Sequence, residues 1–333
     1  MKYIIIGAGV AGVTAAKTIN KIDPEGEIIL IGEENYLPYR RYLLTEFLCN
    51  TIIQENLFYD SVESLEKHNI KFRKGEYVKS LDTGEKKLKL HHNEVLTYDK
   101  LLISSGGCPR LGPVLAPFAR HIQHYYTLED ILVLKEALPD IKHCVVCGEG
   151  ISALDLMSAM KRVGVKVTYI TQREQADFPL VETEFENGLH QFLEENGIEI
   201  ITNDRIISVD EKDDQYEIET FNKKSLKTDI VFAWDYYSPN ISFVENTGIE
   251  KKDGILVNTK LQTTAEDIYA AGDCVEIYHP QLKDYWINFG WPNALEQGKV
   301  VGRNMTGKEE EYKINETVIF NLMGKPLTAR WWE

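Results

Sequence analysis

Met1-Lys-Tyr-Ile-Ile-Ile-Gly-Ala-Gly-Val-Ala-Gly12 is the stretch on which the fold turns. Tyr3 to Ile6 is a short apolar run that stops at glycine, the pattern of a strand buried on both faces in a parallel sheet. Val10 to Asn20 reads as a helix, and Glu27-Ile-Ile-Leu-Ile-Gly32 as a second buried strand. The intervening Gly7-Ala-Gly9-Val-Ala-Gly12 matches G-x-G-x-x-G in the right setting, after a strand and opening a helix. Gly7 permits a tight turn, Gly9 leaves the backbone open to a pyrophosphate, and Gly12 lets the helix pack closely on the sheet. The phosphates would sit at the positive N-terminus of the helix. Glu33 lies 21 positions past Gly12, where a ribose-binding acid is wanted.

The plan returns. His143-Cys-Val-Val-Cys147 is an apolar strand, Gly148-Glu-Gly150-Ile-Ser-Ala153 a second glycine fingerprint with the tolerated Ala in third place, Ile151 to Val163 a helix, and Lys166-Val-Thr-Tyr-Ile170 the next strand. Here the acid is missing. Position 171 is Thr, followed by Gln172 and Arg173. The absent carboxylate counts against NAD, and Arg173 is of the type that meets the extra phosphate of NADP. Each unit carries a polar, alternating stretch, Lys71 to Val95 in the first and Ile206 to Ile230 in the second, which reads as an antiparallel insertion. The expected fold class is α/β, with two Rossmann-like dinucleotide-binding domains bearing βββ-meander insertions. Its expected boundaries are 1–112 with 246–333 for one discontinuous domain and 113–245 for the other, with a short tail over about 304–333.

The chain has 333 residues, 43% apolar and 27% charged, which fits about two globular domains. A net charge of −15 argues against a general nucleic-acid or anionic-membrane binder. Cys49, Cys108, Cys144, Cys147 and Cys274 are an odd, sparse set, unlike a disulfide framework. The uncharged stretch from Tyr3 to Ala16 is shorter than the ~20 residues of a membrane helix and lacks a charged leader, so the expected location is the cytoplasm.

Ser104-Ser105-Gly106 after the strand Lys100 to Ile103, and Ala271-Gly272-Asp273 after Asp267-Ile-Tyr-Ala270, join the two fingerprints in order. With Leu37-Pro-Tyr-Arg-Arg-Tyr-Leu-Leu-Thr-Glu46 and Trp291-Pro-Asn-Ala-Leu-Glu-Gln-Gly298, the chain resembles the FAD-dependent pyridine nucleotide oxidoreductases, most closely their NADH:rubredoxin reductase and nitrite reductase flavoprotein branch. The resemblance implies a glutathione reductase-like architecture without a full C-terminal dimerisation domain. It assigns the first fingerprint to FAD, with Gly7, Gly9, Val10, Ala11, Gly12, Glu33, Glu34, Arg41, Tyr77, Val78, Ser104, Ser105, Gly106, Arg110, Gly272, Asp273 and Trp291 around that cofactor. In this reading Glu33 takes the ribose, Arg41 the phosphates or flavin, Tyr77 and Val78 flank the adenine, and Asp273 takes the ribityl chain. The second fingerprint goes to NAD or NADP, with Gly148, Gly150, Ile151, Ser152, Asp155, Thr171, Arg173 and Tyr236. Glu46, Asp155 and Trp291 are implied in the flavin environment, at a site expected between the domains.

The implied activity is hydride transfer from the nicotinamide to flavin N5, then single-electron steps to rubredoxin or a ferredoxin-like iron–sulfur protein, with no acid–base residue strictly required. Three departures from the family pattern stand out. Glu46 replaces a common Lys and would disfavour an anionic reduced flavin. Tyr236 stands where Gly is usual and would crowd the nicotinamide. Thr171 replaces the ribose acid. Two other readings stay open: a flavin-bearing, non-turnover subunit of a larger complex, and an NAD(P)H oxidase. Monomer and homodimer are both compatible.

Cys144 and Cys147, read on a strand, point to opposite faces, so a dithiol or metal half-site is not expected. His91, His92, His121 and His124 lack further ligands at metal spacing, and no metal is expected. Tyr125-Tyr126 and Trp331-Trp332 read chiefly as packing, and Glu309-Glu310-Glu311 as a solvated run.

Overall fold

A computed structural model describes residues 1–176, 181–182, 188–279, 282–314 and 317–330; Trp331 and Trp332 lie outside them. Among the described residues the α-helices are, in chain order, α1 (Val10–Ile22), α2 (Leu44–Leu48), α3 (Val62–Lys67), α4 (Leu128–Ala137), α5 (Ile151–Arg162), α6 (Gly188–Glu195) and α7 (Trp291–Met305). The chain divides into two compact units.

The first unit gathers Met1–Arg40, Phe58–Cys108 and Ser238–Asn315. Its centre is a five-stranded sheet in the order Ile268–Ala270, Lys100–Ile103, Lys2–Ile6, Glu27–Gly32, Ile70–Lys74, all neighbours parallel. After a charged first residue the central strands are apolar because both faces are covered: Ile4, Ile5, Leu30, Leu101, Leu102 and Ile103 have no exposed surface. The strand Lys2–Ile6 has Glu27–Gly32 on one side and Lys100–Ile103 on the other, so successive crossovers leave in opposite directions there. Such a switch point opens a crevice at the carboxyl ends of the strands. An antiparallel meander, Val78–Asp82, Lys87–Leu90 and Val95–Thr97, is a separate sheet. α7 packs on α1, and a methyl group at Gly298 would meet the Ala11 carbonyl oxygen at 2.5 Å.

The second unit gathers Arg41–Leu57, Pro109–Tyr237 and the C-terminal residues from Glu316. Its parallel sheet runs Ile198–Ile201, Lys166–Ile170, His143–Cys147, Ile230–Ala233. A meander of Ile206–Lys212, Gln215–Thr220 and Ser225–Thr228 follows. In Gln215–Thr220 only Ile218 and Thr220 are buried, the alternation of a half-covered strand.

Three expectations are corrected. Ile70–Lys74 belongs to the parallel sheet, not to the insertion expected from Lys71. It lies at the sheet edge, where half-exposure imitates an antiparallel strand. The C-terminal hairpin, Thr317–Leu322 with Lys325–Arg330, groups with the second unit and not with the 246–333 domain, because it pairs with Val181–Glu182. Arg41–Leu57, expected within 1–112, also groups with the second unit. The chain also passes between units after Cys108 and after Tyr237, four residues before the expected Gly112 and nine before the expected Asn246.

Gly298→Ala should lower unfolding free energy by ~1–3 kcal/mol, the usual cost of overpacking. Gly84→Ala, whose methyl would find its nearest neighbour at 3.6 Å, should not. Urea unfolding of the two variants checks this.

Candidate functional site

In the first unit the site grows from the turn between Lys2–Ile6 and α1. Gly7 has φ +105°, and a Cβ there would lie 2.1 Å from the Ser104 carbonyl oxygen. A Cβ at Gly12 would lie 2.0 Å from the Gly7 oxygen and 2.7 Å from Ser104 Oγ. Ser104 Oγ in turn donates to the carbonyl of Ile6 at 2.9 Å. Backbone packs on backbone around this turn, and only glycine fits. Gly9 is different: it is exposed, and a Cβ there would touch nothing within 4 Å. α1 has no side-chain cap and no acid in its first turn. Its leading N–H groups, which have no partners inside the helix, are therefore left for an anion.

The turn Ala271-Gly272-Asp273 closes on the same helix. Gly272 N donates to Gln297 Oε1 of α7 at 2.6 Å, and Asp273 Oδ1 accepts from Gly290 N at 3.2 Å. Nearby in sequence stands Asn288, 0% exposed, with neither amide atom hydrogen-bonded to protein. A buried amide without partners costs ~1–3 kcal/mol. Together with the open Gly9 and the uncapped helix, that amide fits a polar cofactor with many hydrogen-bonding groups, as FAD is. Glu33 is exposed at the end of its strand, and Glu34 accepts from Tyr39 Oη at 2.8 Å. Trp291 opens α7 edge-on to Tyr59, with ring centroids 5.6 Å apart. Tyr77 is 49% exposed and stacks on His91 at 4.7 Å, whereas the Val78 side chain is buried in the core. Ser105 and Gly106 follow Ser104, and Gly106 has φ +63° with open space around it.

Two residues expected at FAD, Arg41 and Arg110, group with the second unit. Arg41 groups with the second unit, where its guanidinium donates to the Tyr126 carbonyl and lies 4.3 Å from that ring. Arg110 is an exposed residue of the same unit.

The second unit repeats the turn with different dressing. A Cβ at Gly148 would lie 2.3 Å from the Trp234 ring, so glycine is required by an indole rather than by the backbone of a third strand. Trp234 Nε1 donates to Glu149 O at 3.2 Å. Gly150 has φ +84° and open space, and α5 has no side-chain cap. Ile151 is half-buried, Ser152 exposed and Ala153 buried. Thr171 is 3% exposed, its Oγ1 accepting from Arg173 N at 3.1 Å, so it cannot stand in for the missing ribose acid. Arg173 is held by Glu149 through Nε–Oε1 and Nη2–Oε2 contacts, both 3.0 Å. Tyr236 is 53% exposed.

α2 also lies in this unit, against α4 and α5. Glu46 accepts a two-pronged contact from Arg162 at 2.7 and 2.8 Å, and this holds its carboxyl down at about 2. The negative charge expected of Glu46 is thus neutralised by α5. Thr45 Oγ1 donates to Asp155 and lies 2.6 Å from Tyr125 Oη. Desolvation raises the Asp155 carboxyl from 3.8 to about 6, opposed by those hydroxyls. The five cysteines are free, and burial pushes the thiols of Cys144 and Cys147 up to about 12. Among the described residues, no three His, Cys, Asp or Glu side chains are grouped to hold a metal.

Two glycine turns, each ending a parallel strand and opening an uncapped helix, define a protein of the double dinucleotide-binding class. The family described as pyridine nucleotide-disulphide oxidoreductase matches residues 1–298, and the chain belongs to it. Members of that family use FAD and NAD(P)H. The chain is similar to an NADH-rubredoxin oxidoreductase of Clostridium acetobutylicum, 30% identical over 320 residues, spanning 93% of this chain and 76% of that protein. It is 27% identical over 317 residues to a putidaredoxin reductase of Pseudomonas putida, spanning 92% and 74%. The crystal structure of the NADH:rubredoxin oxidoreductase from Clostridium acetobutylicum superposes with a TM-score of 0.77 at 28% identity, over 95% of this chain and 78% of that one.

Two outcomes follow. Gly9→Val, with room for its side chain, should keep the unfolding midpoint of the apoprotein yet lose FAD retention, as read by thermal melts with and without added FAD. For Asp155, a carboxyl raised in the folded state binds a proton that the unfolded chain has released. Its contribution to stability is complete below pH 4 and falls as pH rises through 6. Relative to the parent, Asp155→Asn should therefore gain stability between pH 4 and 7 in urea titrations.

Proposed function

We propose that this chain takes electrons from NADH into bound FAD and passes them to a small iron–sulfur protein of the rubredoxin type. The observation that carries the reading is the pair of open, uncapped glycine turns on one chain, with the unpartnered amide of Asn288 in the unit that carries the first of them. When bound, the isoalloxazine accepts a hydride and releases electrons singly, which is the chemistry that joins a two-electron donor to a one-electron acceptor.

The protein's own part is binding and positioning. The first turn of α1 holds a pyrophosphate, and Gly9 lets it approach. Asp273 and Asn288 offer a carboxylate and an amide to the rest of the same cofactor. The N-terminus of α5, with Gly150 left open, receives the second dinucleotide. The relatives named for rubredoxin and putidaredoxin support a small iron–sulfur acceptor. No helix among the described residues is long and apolar enough to cross a membrane. The five free cysteines suit a reducing compartment, and we place the protein in the cytoplasm.

The purified protein should be yellow, with one FAD per chain. It should be bleached anaerobically by NADH and then reoxidised by rubredoxin at a rate that rises with rubredoxin concentration. Colourless protein that FAD cannot reconstitute would end the proposal. Full reoxidation by O₂ with no dependence on rubredoxin would make the chain an oxidase.

A further inference from the structure

The second glycine turn lacks its ribose acid at the end of the strand Lys166–Ile170, and it has an Arg two residues further on. From spacing alone that reads as a site for the phosphate of NADP. The structure puts a carboxylate in the way. Glu149, between Gly148 and Gly150, grips Arg173 with both oxygens, at 3.0 Å each. The side chains are 50% and 38% exposed, so the pair adds little to stability. Its backbone is nonetheless well held. The Glu149 carbonyl accepts from Trp234 Nε1, and the Arg173 amide donates to the buried Thr171 hydroxyl.

We propose that Glu149 is the residue that selects NADH over NADPH. The inference rests on the reading that the second unit binds a nicotinamide dinucleotide. Arg173 presents its planar fork to Glu149, which leaves that face of the guanidinium satisfied and no longer a two-pronged receptor for a phosphate. The Glu149 carboxylate also brings a negative charge to the place a 2′-phosphate would occupy, and like charges at a binding surface are strongly disfavoured. Each carboxylate oxygen keeps a further lone pair for a ribose hydroxyl, so the same group can replace the acid missing at Thr171. Arg173 is then a positioning residue: it aims Glu149 and does not recognise a phosphate itself.

The experiment is equilibrium binding to the intact FAD-loaded protein under air-free conditions, by calorimetry, with NAD⁺ and NADP⁺ as probes so that no turnover intervenes. The parent should bind NAD⁺ more tightly than NADP⁺. Glu149→Gln keeps size and shape, removes the negative charge and takes away one of the two oxygens that hold Arg173. It should move the affinity ratio toward NADP⁺ by about tenfold or more. Arg173→Ala leaves Glu149 uncompensated and should weaken NADP⁺ binding further, and the double variant should lose the gain of Glu149→Gln. An unchanged ratio in Glu149→Gln, with both nucleotides still bound, overturns this inference alone. A parent that binds neither nucleotide overturns it together with the reading of the second unit. Equal unfolding midpoints for parent and Glu149→Gln keep the comparison free of folding effects.

Discussion

Contact between backbone and backbone, with no side chain between, is the constraint on which this molecule depends. At Gly7 the chain passes so near the Ser104 carbonyl that a single methyl would overlap it, and Gly12 seats α1 on the Gly7 oxygen at the same point. Ser104 then stitches the two strands together through the Ile6 carbonyl. The close fit points the unfilled end of α1 at the crevice where the strand order reverses. A larger residue at either glycine would lift the helix and spoil the alignment of its N–H groups. Gly9 makes the opposite use of glycine, since nothing in the protein claims the space beside it.

The second unit reaches the same end by other means. Trp234 replaces a neighbouring strand as the object that Gly148 must avoid, and an ion pair, Glu149 with Arg173, replaces a fixed strand-end acid. The segment carrying α2 adds a second constraint. Glu46 is bound by Arg162, Thr45 by Asp155 and Tyr125, and Lys135 reaches back to the Phe47 carbonyl. Polar contacts of this kind join the buried side chains of Leu44, Phe47 and Leu48 in fastening this stretch onto α4 and α5. Desolvation there raises the Asp155 carboxyl, and the Thr45 and Tyr125 hydroxyls pull against that rise.

Much of this was legible in the sequence because the parallel strands are buried on both faces and read as unbroken apolar runs. His143–Cys147 begins and ends where its sequence pattern does, and α5 stops one residue before the expected Val163. What was not legible depends on distance along the chain. The partners of Glu46 and Lys135 lie 116 and 88 residues away, so nothing local marks 41–57 as belonging to the second unit. Ile70–Lys74 has the alternating pattern of an antiparallel strand because an edge strand in a parallel sheet is half-exposed. Glu149 carries no sequence signal, because a ribose acid ordinarily stands about 20 residues further on. Asn288 belongs to no motif. Its only sequence signal is an amide set among Ile287, Phe289 and Trp291.

On this reading one chain carries two separate dinucleotide turns with different ligands. Hydrogen exchange read by mass spectrometry tests it most directly, with the apoprotein compared against FAD alone and against FAD plus NAD⁺. FAD should slow exchange in peptides covering Gly7–Val13, Gly272–Cys274 and Asn288, and NAD⁺ should then slow exchange across Gly148–Leu154 with no further change at the first turn. Protection of the same peptides by both ligands, or none at either turn, would contradict it.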